Sequence, residues 1–428
     1  MRKKALVLAG GGTRGAYENG AVRALRELGR DDWNIVAGTS IGALNAALIV
    51  QKDYDVMNQL WKTLTQDMIV NGGFTTDTNI ETIINERNLL TSFFKKYVKE
   101  KGADITPFAE KVRALFDPEK FFASDVDFCC VTVHNISQKP VFVTKEMMRE
   151  NGPDWLLASA SAFPAFPVYQ IGENSYIDGG YFDNCPVDIA LQMGAEEVIA
   201  IDPHHEPNHP NFLHKEHIHY IYPQHDAGTF LSFDRKVLDT RDTMGYLDTM
   251  KYFGRYDGVK YTFEIMSLPE YVDTMYLDIL KLETRIKVAN RINGSFRSAE
   301  YITDHLESQQ NRRFLTKRQI FFGLLDNLMD MCNADLEKIW TYKEARDLIV
   351  YHFRDSLRED YESLPELNAG SVMNYLSSLD QKGLTEKVLH GMLYDQMNIP
   401  ENISLTLYPF EIMLAKMIVY LMKELGKE

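Results

Sequence analysis

The residues best suited to covalent chemistry stand in three short runs: Gly38-Thr39-Ser40-Ile41-Gly42, Gly10-Gly11-Gly12-Thr13-Arg14-Gly15 and Asp178-Gly179-Gly180. The first reads G-x-S-x-G. Residues 33–37 before it are apolar and aromatic enough for a strand, and the alanines and leucines of 43–50 after it favour a helix. A sharp strand-to-helix turn holds a serine at the helix N-terminus, and flanking glycines remove the Cβ atoms that would collide there. The pattern predicts Ser40 as a nucleophile supported by Gly38 and Gly42, against the plainer reading of an ordinary strand–helix connection.

The glycine run admits two functional readings besides that of a plain turn. Gly10, Gly12 and Gly15 match G-x-G-x-x-G between a strand (4–9) and a helix (16–28), the dinucleotide fingerprint. That reading wants an acid at the end of the second strand. Asp31 and Asp32 precede that strand, and its far end is the serine turn itself, so it fails. Consecutive glycines beside a helix N-terminus also leave backbone N–H groups bare, suited to the charge that develops on an attacked carbonyl oxygen. In a parallel sheet the ends of the first two strands are neighbours, which makes the glycine loop and Ser40 parts of one site. A serine hydroxyl needs a base within hydrogen-bond reach. Asp178, at a strand end and followed by Gly179 and Gly180, can approach closely, although a lone D-G-G is more often a turn.

These runs need a sheet to hold them. Strands are expected at 126–134, 140–144 and 197–201, with short helices at 154–161 and 187–193. This rhythm is that of an α/β sheet flanked by helices. Cys129 and Cys130 should point to opposite faces of a strand as small core residues. Residues 54–122 read as a helical wall or lid, with 92–99 mixing aromatics and lysines. A helix from about 234 closes the α/β part, and beyond 261 strands disappear into long helical patterns. The expected division is 1–262, an α/β domain, and 263–428, a helical part that caps the site or makes an oligomer interface. Arg312, Arg313, Lys317 and Arg318 lead into residues 320–325, the best candidate for a basic amphipathic face toward a membrane, although a packed helix remains the plainer reading. Residues 410–425 are apolar enough for core or dimer contact.

Composition narrows the function. Of 428 residues 45% are apolar and 25% charged, ordinary for a globular protein, and no apolar run reaches the ~18 residues of a membrane span. The residues after Arg2, Lys3 and Lys4 read as a first strand rather than a leader. The net charge of −15 opposes nucleic acid and bulk attraction to anionic membranes. Four cysteines make no disulfide framework, which fits a reducing, cytoplasmic setting. Seven histidines lie between His204 and His225, but their spacings match no metal pattern, and no metal is expected. His134 and Cys185 read as structural residues.

The order of the motifs resembles the patatin-like phospholipase family. Gly10 to Gly15, Gly38 to Gly42 and Asp178-Gly179-Gly180 carry the resemblance. Ala158-Ser159-Ala160-Ser161-Ala162-Phe163-Pro164 and Asn184-Cys185-Pro186-Val187 are similar to further elements of that family. It covers roughly 4–255, and it departs at Ala9, where plant members have an acid. The resemblance implies a three-layer fold with a mainly parallel sheet. It also implies a Ser40–Asp178 dyad, with backbone amides of Gly10, Gly11 and Gly12 and with Arg14 as oxyanion hole. The substrate implied is the acyl ester of a lipid, met at a membrane surface, with no cofactor. Two rivals stand. One is an esterase or acyltransferase with a Ser-Asp-His triad, in which His204 or His205 would complete Ser40 and Asp178. The other is a binding protein that keeps the fold without turnover.

Overall fold

The computed structural model describes residues 2–71, 103–292, 301–358, 378–394 and 408–426. The aromatic–lysine stretch at 92–99 lies outside the described residues. The chain divides into two compact units, Met1–Phe253 and Gly254–Glu428.

The first unit is built on eight strands: β1 (Lys4–Leu8), β2 (Ile35–Thr39), β3 (Asp127–His134), β4 (Lys139–Thr144), β5 (Tyr169–Ile171), β6 (Asn174–Asp178), β7 (Glu197–Ile201) and β8 (Ile218–Ile221). Their order across the sheet is β5-β6-β3-β2-β1-β7-β8, with β4 also pairing β3. The run β3-β2-β1-β7-β8 is parallel, and β4, β5 and β6 add an antiparallel flank. Alternation along the strands supplies two cores. Leu6, Leu8, Val36, Cys130 and Ile201 pack on one face with Ala16 and Tyr17 of α1 (Gly15–Glu27) and Leu44 and Leu48 of α2 (Ile41–Val50). Ala5, Val7, Ala37, Cys129 and Ala200 pack on the other with Val187 and Ile189. Cys129 and Cys130 thus sit on opposite faces. The helix Arg235–Tyr252 packs against α1 at a crossing that only glycines permit. A Cβ on Gly20 would stand 1.8 Å from the Asp242 carbonyl oxygen, and one on Gly245 would stand 1.9 Å from that of Tyr17.

The second unit begins earlier than 263, because Tyr261 is already part of its core with Phe263, Phe321, Phe322 and Trp340. Among the described residues its regular structure is helical apart from a parallel pair, Thr262–Phe263 with Ile339–Trp340. Of the two readings of the basic helix, the packed one is what the structure shows. Ile320, Phe321, Phe322, Leu324 and Leu325 of the helix Lys317–Met331 are all buried in this core. Lys317 pairs with Asp273 at 2.6 Å and Arg318 with Asp257 at 2.8 Å. The helix Pro409–Leu425 is likewise buried in the core.

Candidate active site

In the parallel pair β1–β2, Leu8 lies beside Gly38, so the loop after β1 and the turn after β2 emerge side by side. A Cβ built on Gly10 would stand 3.1 Å from Ser40 Cβ. Ser40 has φ 55 and ψ −125, a conformation that costs a non-glycine residue free energy and persists only where its surroundings enforce it. Here they do. The Ser40 N–H donates to Ser159 Oγ at 2.9 Å, and the Ser159 hydroxyl donates to the Val131 carbonyl at 2.6 Å. A Cβ on Gly38 would meet the Gly42 carbonyl oxygen at 2.4 Å, and one on Gly42 the Leu8 carbonyl oxygen at 2.4 Å. Neither position tolerates a side chain.

Asp178 ends β6, paired with Thr132 of β3. A Cβ on Gly179 would lie 2.1 Å from the Val131 carbonyl oxygen and 2.9 Å from Thr39 Cγ2, so a glycine is what lets this loop press onto the ends of β2 and β3. Asp178 Oδ1 accepts the Gly180 N–H at 2.7 Å. Burial pushes the Asp178 carboxyl up to about 6, while hydrogen bonds from the Ser40 side chain and the Gly180 N–H hold it from going higher.

The glycine loop is bound tightly on its outer side. Gly10 N–H donates to the Asn184 carbonyl at 2.8 Å, Thr13 N–H to that of Phe230 at 2.7 Å, and Arg14 N–H to that of Gly11 at 3.1 Å. The N–H groups of Gly11 and Gly12 make no backbone hydrogen bond among the described residues. Of the four residues expected to form an oxyanion cradle, these two have amides to offer. Arg14 spends Nε and Nη2 on the Gly228 carbonyl, at 2.8 and 2.6 Å. Arg241, buried, donates to the Ala227 carbonyl at 2.7 Å and to Thr13 Oγ at 2.8 Å. Desolvation lowers the pKa of both guanidiniums, that of Arg241 to about 10. The two arginines strap 227–230 to the glycine loop. Gly15 packs directly against Trp61 and Ile41, where a Cβ would come within 2.6 and 2.7 Å.

Ser40, Asp178, Gly11, Gly12, Arg14, Gly180 and His204 open on one cavity of about 410 Å³, whose remaining wall is mostly apolar, with Leu44, Leu48, Leu64, Phe108, Leu156 and Phe166. This is the size and character of a small-molecule site. The two histidines of the triad reading do not stand on Asp178. His204 Nδ1 lies 2.7 Å from Asp202, and His205 Nδ1 lies 3.2 Å from the Pro223 carbonyl. His134 bonds Asn174 at 3.3 Å. Cys185 is fully buried, and burial pushes its thiol well up. His209 pairs with Asp183 and His219 with Glu197. Among the described residues no group of three or more His, Cys, Asp or Glu could hold a metal.

Sequence reasoning gave no role to Ser159, Asn184 or Arg241. Ser159 and Asn184 stand in runs already singled out, Ala158 to Pro164 and Asn184 to Val187. Asn184 donates Nδ2 to the Gly10 carbonyl at 3.2 Å. Arg241 carries no local signal.

Comparison with known proteins finds a family likeness in the first unit. The patatin-like phospholipase model matches residues 6–191. Patatin-like phospholipase domain-containing protein 7 of Rattus norvegicus is 30% identical over 203 residues, 46% of this chain and 13% of that protein. Lysophospholipase NTE1 of Debaryomyces hansenii is 28% identical over 199 residues, 46% of this chain and 11% of that protein. The matched region is therefore a small part of either relative's length. Among solved structures, VipD of Legionella pneumophila aligns over 96% of this chain and 91% of its own at 13% identity and a TM-score of 0.39. The glycine loop, the strained serine and the buried carboxyl all fall inside residues 6–191, so the stretch of this chain that matches the patatin-like phospholipase model contains the whole candidate site.

Proposed function

We propose that this chain is a lipid acyl hydrolase of the phospholipase A, lysophospholipase or esterase type, acting through Ser40 and Asp178. The observation that carries the reading is a serine in a strained turn, hydrogen-bonded to a buried carboxyl at one end of an apolar cavity. Ser40 Oγ attacks the ester carbonyl as its proton passes to Asp178, and the carbonyl oxygen takes up negative charge beside the Gly11 and Gly12 N–H groups. Collapse of that intermediate expels the alcohol and leaves an acyl-enzyme, which water hydrolyses. The apolar wall suits a fatty acyl chain. No cofactor enters the scheme.

Lipid substrates sit in membranes or micelles, so the enzyme works at such a surface as a peripheral visitor. No helix among the described residues is long and apolar enough to cross a membrane. Four buried free cysteines fit a reducing, cytoplasmic setting. The test is labelling by a fluorophosphonate probe together with turnover of p-nitrophenyl esters of rising chain length. Wild type should label at Ser40 and turn over long-chain esters, and Ser40→Ala and Asp178→Asn should lose both. Turnover that survives in Ser40→Ala would overturn the assignment, and a wild type that takes no label would favour a binding protein.

A further inference from the structure

We propose that His204, oriented by Asp202, is a second proton carrier of the site and serves the alcohol side of the ester; this rests on the Ser40–Asp178 reading above. β7 lies beside β1, with Ile201 opposite Leu8, so the residues after β7 emerge against the glycine loop. A Cβ on Gly11 would meet Pro203 Cγ at 3.1 Å and His204 Cε1 at 3.6 Å. His204 thus lines the cavity that holds Ser40 and Asp178.

What orients it is unusually complete. Asp202 is fully buried and accepts from His204 Nδ1 at 2.7 Å, Tyr220 OH at 2.6 Å, Asn208 N–H at 2.8 Å and Asn208 Nδ2 at 2.9 Å. Burial alone would raise this carboxyl, but the His204 contact, Tyr220 and the Asn208 N–H hold it below its ordinary value. A carboxylate can only accept, so it keeps the proton on Nδ1 and fixes the ring. Asn208 Nδ2 also comes within 3.2 Å of Nδ1, but as a donor it is already spent on both Asp202 oxygens. Among the described residues His204 Nε2 makes no hydrogen bond. The structure therefore holds an oriented imidazole with one ring nitrogen to spare, lining the same cavity as a serine whose own proton already has a taker.

The protons balance as follows. Acylation starts from the imidazolium form of His204, with a proton on each ring nitrogen: the Ser40 Oγ–carbon bond forms, Asp178 takes the serine proton, the bond to the alcohol oxygen breaks, and that oxygen takes the Nε2 proton, leaving a neutral ring protonated on Nδ1. In deacylation Nε2 takes a proton from the attacking water, whose oxygen bonds to the acyl carbon, and Ser40 leaves with the proton held by Asp178. Ester and water become acid and alcohol, and both carriers are restored.

The experiment compares His204→Gln with wild type on a p-nitrophenyl ester and an alkyl ester of the same fatty acid, alongside fluorophosphonate labelling. Neither fluoride nor p-nitrophenolate needs a proton to leave. His204→Gln should therefore label Ser40 at the wild-type rate and keep its p-nitrophenol burst. Its steady-state turnover should fall about 10²-fold with acyl-enzyme accumulating, and alkyl-ester acylation should fall comparably. A purely structural role would not split the two leaving groups. Equal turnover of both esters by variant and wild type, with labelling intact, overturns the proposal and leaves the dyad standing. A wild type that does not label at Ser40 removes the dyad and this proposal with it.

Discussion

A carboxyl serves as a base only after it has lost its own proton, and Asp178 holds its proton unusually long. With burial pushing it up to about 6, acylation should rise as pH climbs through about 6 and level off above it, measured as kcat/KM on a p-nitrophenyl ester. The same shift acts on stability. The folded chain binds this proton more tightly than the unfolded one, whose carboxyl titrates near its ordinary 3.8. The contribution is therefore fully present below about 4 and lost as pH rises through about 6, a difference on the order of 3 kcal/mol. Asp178→Asn should accordingly melt above wild type at pH 8, with the gap closing toward pH 4; a gap independent of pH would contradict the burial account. At this scale the sequence was legible where the constraint is local. Gly38 and Gly42 are glycines because backbone four to five residues away, or the adjacent strand, fills the space. Ser159, Asn184 and Arg241 act across separations of 119, 174 and 228 residues, which no local pattern encodes.

Elements set the shape of the cavity. Leu44 and Leu48 lie one turn apart on α2 and both line it. Leu48→Trp should shift the preferred ester toward shorter acyl chains while leaving fluorophosphonate labelling in place, read from a chain-length series. The crossing of α1 and Arg235–Tyr252 is a second element-level test. Gly245→Ala sets a methyl 1.9 Å from the Tyr17 carbonyl oxygen, so the helices must part, at about 1–3 kcal/mol or more in denaturant unfolding. The adjacency of the first two strands followed from the motifs, and the basic helix was legible as a packed one, but its partners were not. The ion-pair partners of Lys317 and Arg318, Asp273 and Asp257, stand 44 and 61 residues away, a distance that no local pattern encodes.

At the scale of the molecule, every described residue that lines the cavity lies within Met1–Phe253, and each unit has its own core. A chain ending at Phe253 should therefore retain Ser40 labelling, checked by gel fluorescence against its Ser40→Ala counterpart. The boundary was less legible than the cores. Composition changes beyond 261, yet Tyr261 and Phe263 already belong to the second unit, and a two-residue strand leaves too little pattern to read.

Ser159 has a consequence that joins substrate to reactivity. Its side chain fixes the backbone of Ser40, while Leu156 and Ala160 on either side of it form part of the cavity wall. Whatever occupies the cavity leans on the very segment that steadies the reactive turn. A ligand packed against Leu156 and Ala160 therefore borders the segment that holds the Ser40 backbone, so in a chain-length series the rate should rise with the fit of the chain.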